Sequence, residues 1–206
     1  MEPFVRLTAV AVPLMRDNID TDIIIPSREM KTVGKTGLCD GLFAGWRYTQ
    51  IGGREPRPDF ALNRPEYAGA GILIGGDNIG CGSSREHAVW ALKEYGFRAV
   101  IAPSFNPIFF NNCVRNGVAP VVLARETVEA LAAQVQADPA RARPTVDLER
   151  GLVIAPDGSH IPFQIAEEHR VALLHGLDAI DLTLRHRDEI EAFWARDRQA
   201  RPWVYL

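Results

Sequence analysis

Cysteine is scarce in this chain. Its three cysteines, Cys39, Cys81 and Cys113, are far apart and form no Cys-x-x-Cys pair, whereas an iron–sulfur cluster needs several thiolates brought together. They read as reduced thiols. The five histidines, His87, His160, His169, His175 and His186, show no zinc-binding spacing. No apolar run approaches the length of a transmembrane helix, and the N-terminus lacks a basic stretch followed by a long apolar one. A cytoplasmic location is therefore expected. The net charge of −3 leaves no basic footprint for nucleic acid or an anionic membrane. No internal repeat or low-complexity tract is read in the sequence. With 206 residues, 47% hydrophobic and 24% charged, the chain has enough apolar content for a single domain over 1–206 and too much for disorder.

The most informative stretch is Gly80-Cys81-Gly82-Ser83-Ser84-Arg85-Glu86-His87. Before it, Gly71–Ile74 suits a buried strand; after it, Ala88, Ala91, Leu92 and Tyr95 recur at helical spacing, with Gly96 as a stop. The stretch thus sits where a strand hands over to a helix, and the first N–H groups of a helix favour a carboxylate or phosphate. Ser83 or Ser84 is placed to cap that end. Arg85, expected just inside the first turn, opposes the helix dipole unless an anion joins it, which points to a bound anion. The known glycine motifs do not fit. There is no Walker Lys, no third glycine of a dinucleotide fingerprint, and no glycine on each side of a serine as in a nucleophile elbow.

A second motif, Asp17-Asn18-Ile19-Asp20-Thr21-Asp22-Ile23-Ile24-Ile25-Pro26, has calcium-loop spacing only superficially. An EF-hand needs glycine at its sixth position and glutamate at its twelfth, and neither count from Asp17 nor count from Asp20 supplies them. Taken alone, the motif reads as a solvated turn before a strand.

Elsewhere, Phe4–Leu14 reads as a strand delivering the Asp20–Asp22 loop, and 31–67, rich in glycine, proline and aromatics, as a long structured loop. Arg98–Ala102 and Val118–Leu123 read as buried strands. Between them a helix runs to about Arg115, capped by Ser104 and ended by Gly117. Such alternation predicts parallel βαβ units. A helix is expected over Glu126–Ala137. In the C-terminal part, 144–206, a hairpin of Val146–Ile154 and Ile161–Ile165 turns at Asp157-Gly158, and helices span Glu167–His175 and Arg187–Arg196. Phe193 and Trp194 are expected to be docking surfaces.

Together the two motifs resemble those of the 3-isopropylmalate dehydratase small-subunit family of the aconitase superfamily. The resemblance extends through Leu42-Phe43-Ala44-Gly45-Trp46-Arg47, Pro58-Asp59-Phe60, Ile101-Ala102-Pro103-Ser104-Phe105 and Gly176-Leu177-Asp178, and the length is that of the bacterial stand-alone subunit. It implies an α/β fold, a three-layer β/β/α swivelling domain of the aconitase type. It also implies a hydro-lyase of leucine biosynthesis that interconverts 2-isopropylmalate and 3-isopropylmalate by removing and returning water. Such a reaction needs a Lewis acid, a base beside a carboxylate and cations for the carboxylates.

By resemblance, Ser83 is the base, acting as an alkoxide. Ser84 and Arg85 hold substrate carboxylate, and Asp22 orients a histidine or arginine of the other subunit. Gly80, Gly82, Glu86, His87 and Ser104 are supporting residues, His87 expected to buttress the loop through hydrogen bonds. The segment Arg28–Gly37 resembles the part that recognises the substrate side chain; there Met30, Val33 and Leu38 either contact an isopropyl group or pack the loop down. No metal or cofactor is expected on this chain. The resemblance places a 4Fe-4S cluster in a separate large subunit, with which this chain forms an active heterodimer. The alternatives are the small subunit of a homoaconitase or of a methylmalate/citraconate dehydratase, or a non-catalytic anion-binding domain of the same fold. The presence together of Asp22, Ser83 and Arg85 favours catalysis.

Overall fold

The first fourteen residues serve two sheets. Strand β1 (Arg6–Thr8) runs antiparallel to β6 (Thr145–Asp147), whereas β2 (Ala11–Leu14) runs parallel to β3 (Ile72–Gly75) in the computed structural model, which describes residues 1–31, 34–83 and 85–205. The single strand expected over Phe4–Leu14 is therefore two, divided at Ala9–Val10. The division follows burial: β1 alternates between exposed and half-buried, while every residue of β2 is buried, as suits a parallel sheet covered on both faces.

The parallel sheet has the order β2-β3-β4-β5, with β4 (Ala99–Ala102) and β5 (Ala119–Val122). Its two prolines, Pro13 and Pro120, lie in β2 and β5, the two outer strands of this order. There a missing N–H does not interrupt pairing on both sides. The antiparallel sheet has the order β1-β6-β7-β8, with β7 (Leu152–Ile154) and β8 (His160–Pro162). The run expected as one strand over Val146–Ile154 breaks at a turn in which Asp147 accepts the Arg150 N–H at 3.0 Å. Gly151 completes that turn at φ +65°. The hairpin at Asp157-Gly158 forms as the sequence indicates. Both sheets contribute to one hydrophobic cluster.

The helices are α1 (Thr21–Ile24), α2 (Ala44–Arg47), α3 (Glu86–Tyr95), α4 (Pro107–Arg115), α5 (Arg125–Ala137), α6 (Glu167–His175), α7 (Ala179–Leu184) and α8 (Arg187–Ala200). Helices α3 and α4 make the crossovers between the parallel strands and pack on each other, and α5 lies across β2, β3 and β4. The cap of α4 is Asn106, whose side chain accepts the Ile108 N–H at 3.0 Å, with Pro107 in the first position. The cap expected from Ser104 is thus two residues out. α7, not foreseen, opens with a capping box of Asp178 and Asp181. On α8, Phe193 and Trp194 are half exposed.

The glycine-rich stretch 31–67 contains short helical turns and an antiparallel bridge between Tyr48 and Pro56 among its described residues. Side chains hold it: Asn63 donates to the Arg47 and Arg57 carbonyls at 2.6 and 3.0 Å. Among the described residues, no helix is long and apolar enough to cross a membrane.

Candidate active site

The functional motifs meet at the carboxyl ends of β2, β3 and β4, where the parallel pairing continues into the loops. Gly80 N–H donates to Ile19 O at 2.7 Å and Thr21 N–H to Cys81 O at 3.0 Å. On the other side, Ile79 N–H reaches Ser104 O at 3.2 Å and Asn106 N–H reaches Ile79 O at 2.9 Å. The Gly80–Arg85 loop is thereby strapped between its two neighbours. Gly80 needs to be glycine: its φ is +75°, and an added Cβ would lie 2.0 Å from Cγ of Phe109 on α4. Gly82, at φ +88°, sits over Asp20 with a Cβ clearance of 3.3 Å.

Asp20 caps α1 by accepting the Ile23 N–H at 2.7 Å. The stretch after it is therefore a helical turn rather than the start of a strand. That turn aims Asp22 at the neighbouring loop, where Arg85 Nη1 meets Asp22 Oδ1 at 2.6 Å. Arg85 is the cap residue of α3, one position before the first turn. Asp22 offsets its conflict with the helix dipole within the chain through one guanidinium nitrogen. Asp22, expected to orient a histidine or arginine of the other subunit, also meets Arg85 within this chain.

Ser83 is exposed at the mouth of the loop, and no hydrogen bond joins its hydroxyl to another described residue. Ser84 lies outside the described residues, as does Val33. Glu86 opens α3 and accepts from Asn116 Nδ2 at 2.8 Å, tying α3 to the end of α4. His87 supports the loop by packing: its ring lies 4.6 Å from that of Trp90, and no hydrogen bond joins it to a described residue. Met30 is half-buried against the core, while Leu38 is fully buried.

Ser104 lies beside the loop as expected, but its hydroxyl is engaged. It donates to Asp77 Oδ1 and accepts the Asn78 N–H, both at 2.8 Å. This leads to a cluster that the sequence reading missed. Asp77 N–H donates to Asp17 Oδ1 and Asn78 Nδ2 to Asn18 Oδ1, each at 2.8 Å. Both asparagines adopt a left-handed φ of 56°. Arg125, opening α5, bridges the two turns, with Nη2 3.0 Å from Asp17 Oδ1 and 2.5 Å from Asp77 Oδ2. The Asp77 N–H and then Arg125 hold the Asp17 carboxyl below its ordinary value; Arg125 and then Ser104 do so for Asp77. A signal was present in the letters: Asp-Asn-Ile occurs at 17–19 and again at 77–79, after successive parallel strands.

Among the described residues, no group of three or more His, Cys, Asp or Glu is placed to hold a metal ion. Cys113 is buried, which pushes its thiol far up. Cys81, half-buried rather than buried, is also raised, by desolvation and by Asp20. Neither is poised as a thiolate ligand, and the described residues do not fit a cluster of their own.

Comparison with known proteins agrees with this architecture. A family model described as the Aconitase C-terminal domain matches residues 1–126, one described as LeuD_N matches 129–167, and one described as the C-terminal domain of the 3-isopropylmalate dehydratase small subunit matches 180–205. The chain is 57% identical to a 3-isopropylmalate dehydratase small subunit of Cupriavidus necator, covering 100% of this chain and 99% of that one. It is 52% identical to the protein so named in Rhodospirillum centenum, over 99% of each. A solved 3-isopropylmalate dehydratase structure from Methanocaldococcus jannaschii shares the fold, with a TM-score of 0.63 at 24% identity over 91% of this chain and 98% of that one.

Proposed function

The chain belongs to the 3-isopropylmalate dehydratase small-subunit family, and on that premise we propose that it supplies half of a hydro-lyase active site, completed by a large subunit. The observation that carries this reading is the juxtaposition of an exposed Ser83 with the Arg85–Asp22 pair at the start of α3, on a stretch held by the loops that follow β2 and β4.

In the reaction, 2-isopropylmalate loses the hydroxyl of one carbon and a proton of its neighbour, and the alkene takes both back in the opposite sense to give 3-isopropylmalate. Ser83 takes that proton and later returns it. Its alkoxide is stabilised by the N-terminus of α3 and the nearby guanidinium, electrostatics fixed before the reaction begins. Arg85 holds the carboxylate adjacent to the acidic carbon, a role suited to its fork of donors. Asp22 orients that fork. Ser84 and Val33 keep their expected roles as substrate contacts, and Met30 stands on the segment that meets the side chain. An iron–sulfur cluster held by the large subunit would supply Lewis-acid chemistry, while the residues of this chain hold the carboxylate and move the proton.

The test is reconstitution with a cluster-bearing large subunit and assay on 2-isopropylmalate, homoaconitate and citraconate. Turnover of isopropylmalate by the pair alone supports the reading. Preference for another substrate reassigns the chain to a sister enzyme, and anion binding without turnover makes it a binding domain. Turnover by the isolated chain refutes the shared site.

A further inference from the structure

A cleft of about 380 Å³ opens beside the Asp22–Arg85 pair, lined by Asp22, Ile23, Pro26, Arg28, Trp46 and neighbouring small residues. It combines two kinds of surface. Ile23, Pro26 and the indole of Trp46 are apolar, whereas Asp22 and Arg28 are charged; Arg85 stands behind the wall on Asp22, and Arg28 Nε lies 3.4 Å from Glu29 Oε1. A compact molecule carrying two carboxylates and a branched alkyl group has the matching distribution.

The Trp46 wall is built rather than incidental. Its ring stacks on Phe43 at 5.9 Å with planes 6° apart, meets Phe60 edge-on at 6.3 Å, and carries the Arg16 guanidinium 4.6 Å from its centroid. The short helix α2 that presents it is preceded by its N-cap residue Phe43, held at φ 50°, ψ 30°. A bulky residue in the left-handed region persists only where its surroundings impose it, and such residues cluster at functional sites. Gly45, beside Trp46, is exposed, and a Cβ added there would meet nothing within 4 Å.

We propose that Trp46 is a specificity-determining residue that seats the alkyl branch of the substrate, with Ile23 and Pro26 beside it and Arg28 taking the carboxylate remote from Arg85. This deepens the isopropylmalate reading and rests on it. The indole then selects for a branched group by area of contact, and the small residue at Gly45 keeps the space open.

Two variants test the proposal from opposite sides in the reconstituted two-subunit enzyme. Trp46→Leu removes the wall and is expected to cut the preference for 2-isopropylmalate over 2-methylmalate, as kcat/KM ratios, by about tenfold or more. Gly45→Leu fills the cleft from an open position and is expected to lower kcat/KM for 2-isopropylmalate at least as far, while sparing 2-methylmalate. Thermal unfolding of each chain confirms that it folds, and Gly45→Leu keeps the test decisive if Trp46→Leu does not. A wild-type ratio in a folded variant of either kind overturns the proposal, as does a ratio that moves with Met30→Ala and with neither of these. Failure of the wild-type enzyme on isopropylmalate refutes the underlying function instead.

Discussion

Replacing Gly80 by alanine probes the geometry on which the site depends. The methyl group meets two penalties. At φ +75° an L-residue is strained by about 1–2 kcal/mol. The new Cβ would also fall 2.0 Å from Cγ and 2.3 Å from Cβ of Phe109. Because Phe109 Cβ is fixed to the backbone of α4, no rotamer relieves the contact, and the helix or the loop must move, an overpacking cost of about 1–3 kcal/mol. Gly52 is a matched control: its φ is +76°, yet an added Cβ there meets nothing within 4 Å. Gly52→Ala is therefore expected to show the backbone strain alone. The loss at Gly80 is expected at about 2–5 kcal/mol, or a fall in Tm of roughly 4–20 °C for a chain of this size. Calorimetry of the two variants separates the contributions. Turnover after reconstitution should fall further than stability implies, since a displacement of about 1 Å at a reacting group can cost about 100-fold. If Gly80→Ala melts no lower than Gly52→Ala, the close approach of the loop to α4 is wrong.

Ser83→Ala is expected to reduce turnover by about 100-fold or more, with stability changed by less than about 0.5 kcal/mol because the hydroxyl is exposed; steady-state kinetics and melting together check it, and undiminished turnover removes Ser83 as the base. Arg85→Lys should raise KM by roughly tenfold, since an ammonium cannot reproduce the guanidinium fork; substrate saturation at wild-type concentrations would refute the clamp. Arg125→Gln bears on pH. The Asp17 and Asp77 carboxyls are held below their ordinary value of 3.8, so their contribution to stability is full above that value and is lost as pH falls through their lower folded values. Loss of Arg125 releases both upward, and acid unfolding followed by circular dichroism should begin at higher pH; superimposable acid limbs would dismiss the bridge.

Local patterning made much of the architecture legible. Apolar runs separated by helical spacing foretold β3, β4 and β5 with α3 and α4 between them, because a strand buried on both faces must be continuously apolar. Where pairing partners decide, the letters fell short. Phe4–Leu14 could not reveal that its halves join different sheets, and Val146–Ile154 concealed a turn for the same reason. Ser104 and Asn106 both have side chains able to cap a helix, and only the path of the backbone made Asn106 the cap.

The candidate site divides in the same way. Residue types at short spacing, Gly80 to His87 and Asp17 to Asp22, determined the chemistry available: a hydroxyl, a guanidinium and carboxylates on two turns. Folding alone decided their pairing. It set Arg85 on Asp22 across 63 positions of sequence and Arg125 between Asp17 and Asp77, and it carried Trp46 to the cleft beside them. A sequence specifies which groups lie near one another along the chain, whereas parallel strands bring distant loops to one edge. Which charges neutralise each other there depends on distances of a few ångströms that no local pattern contains.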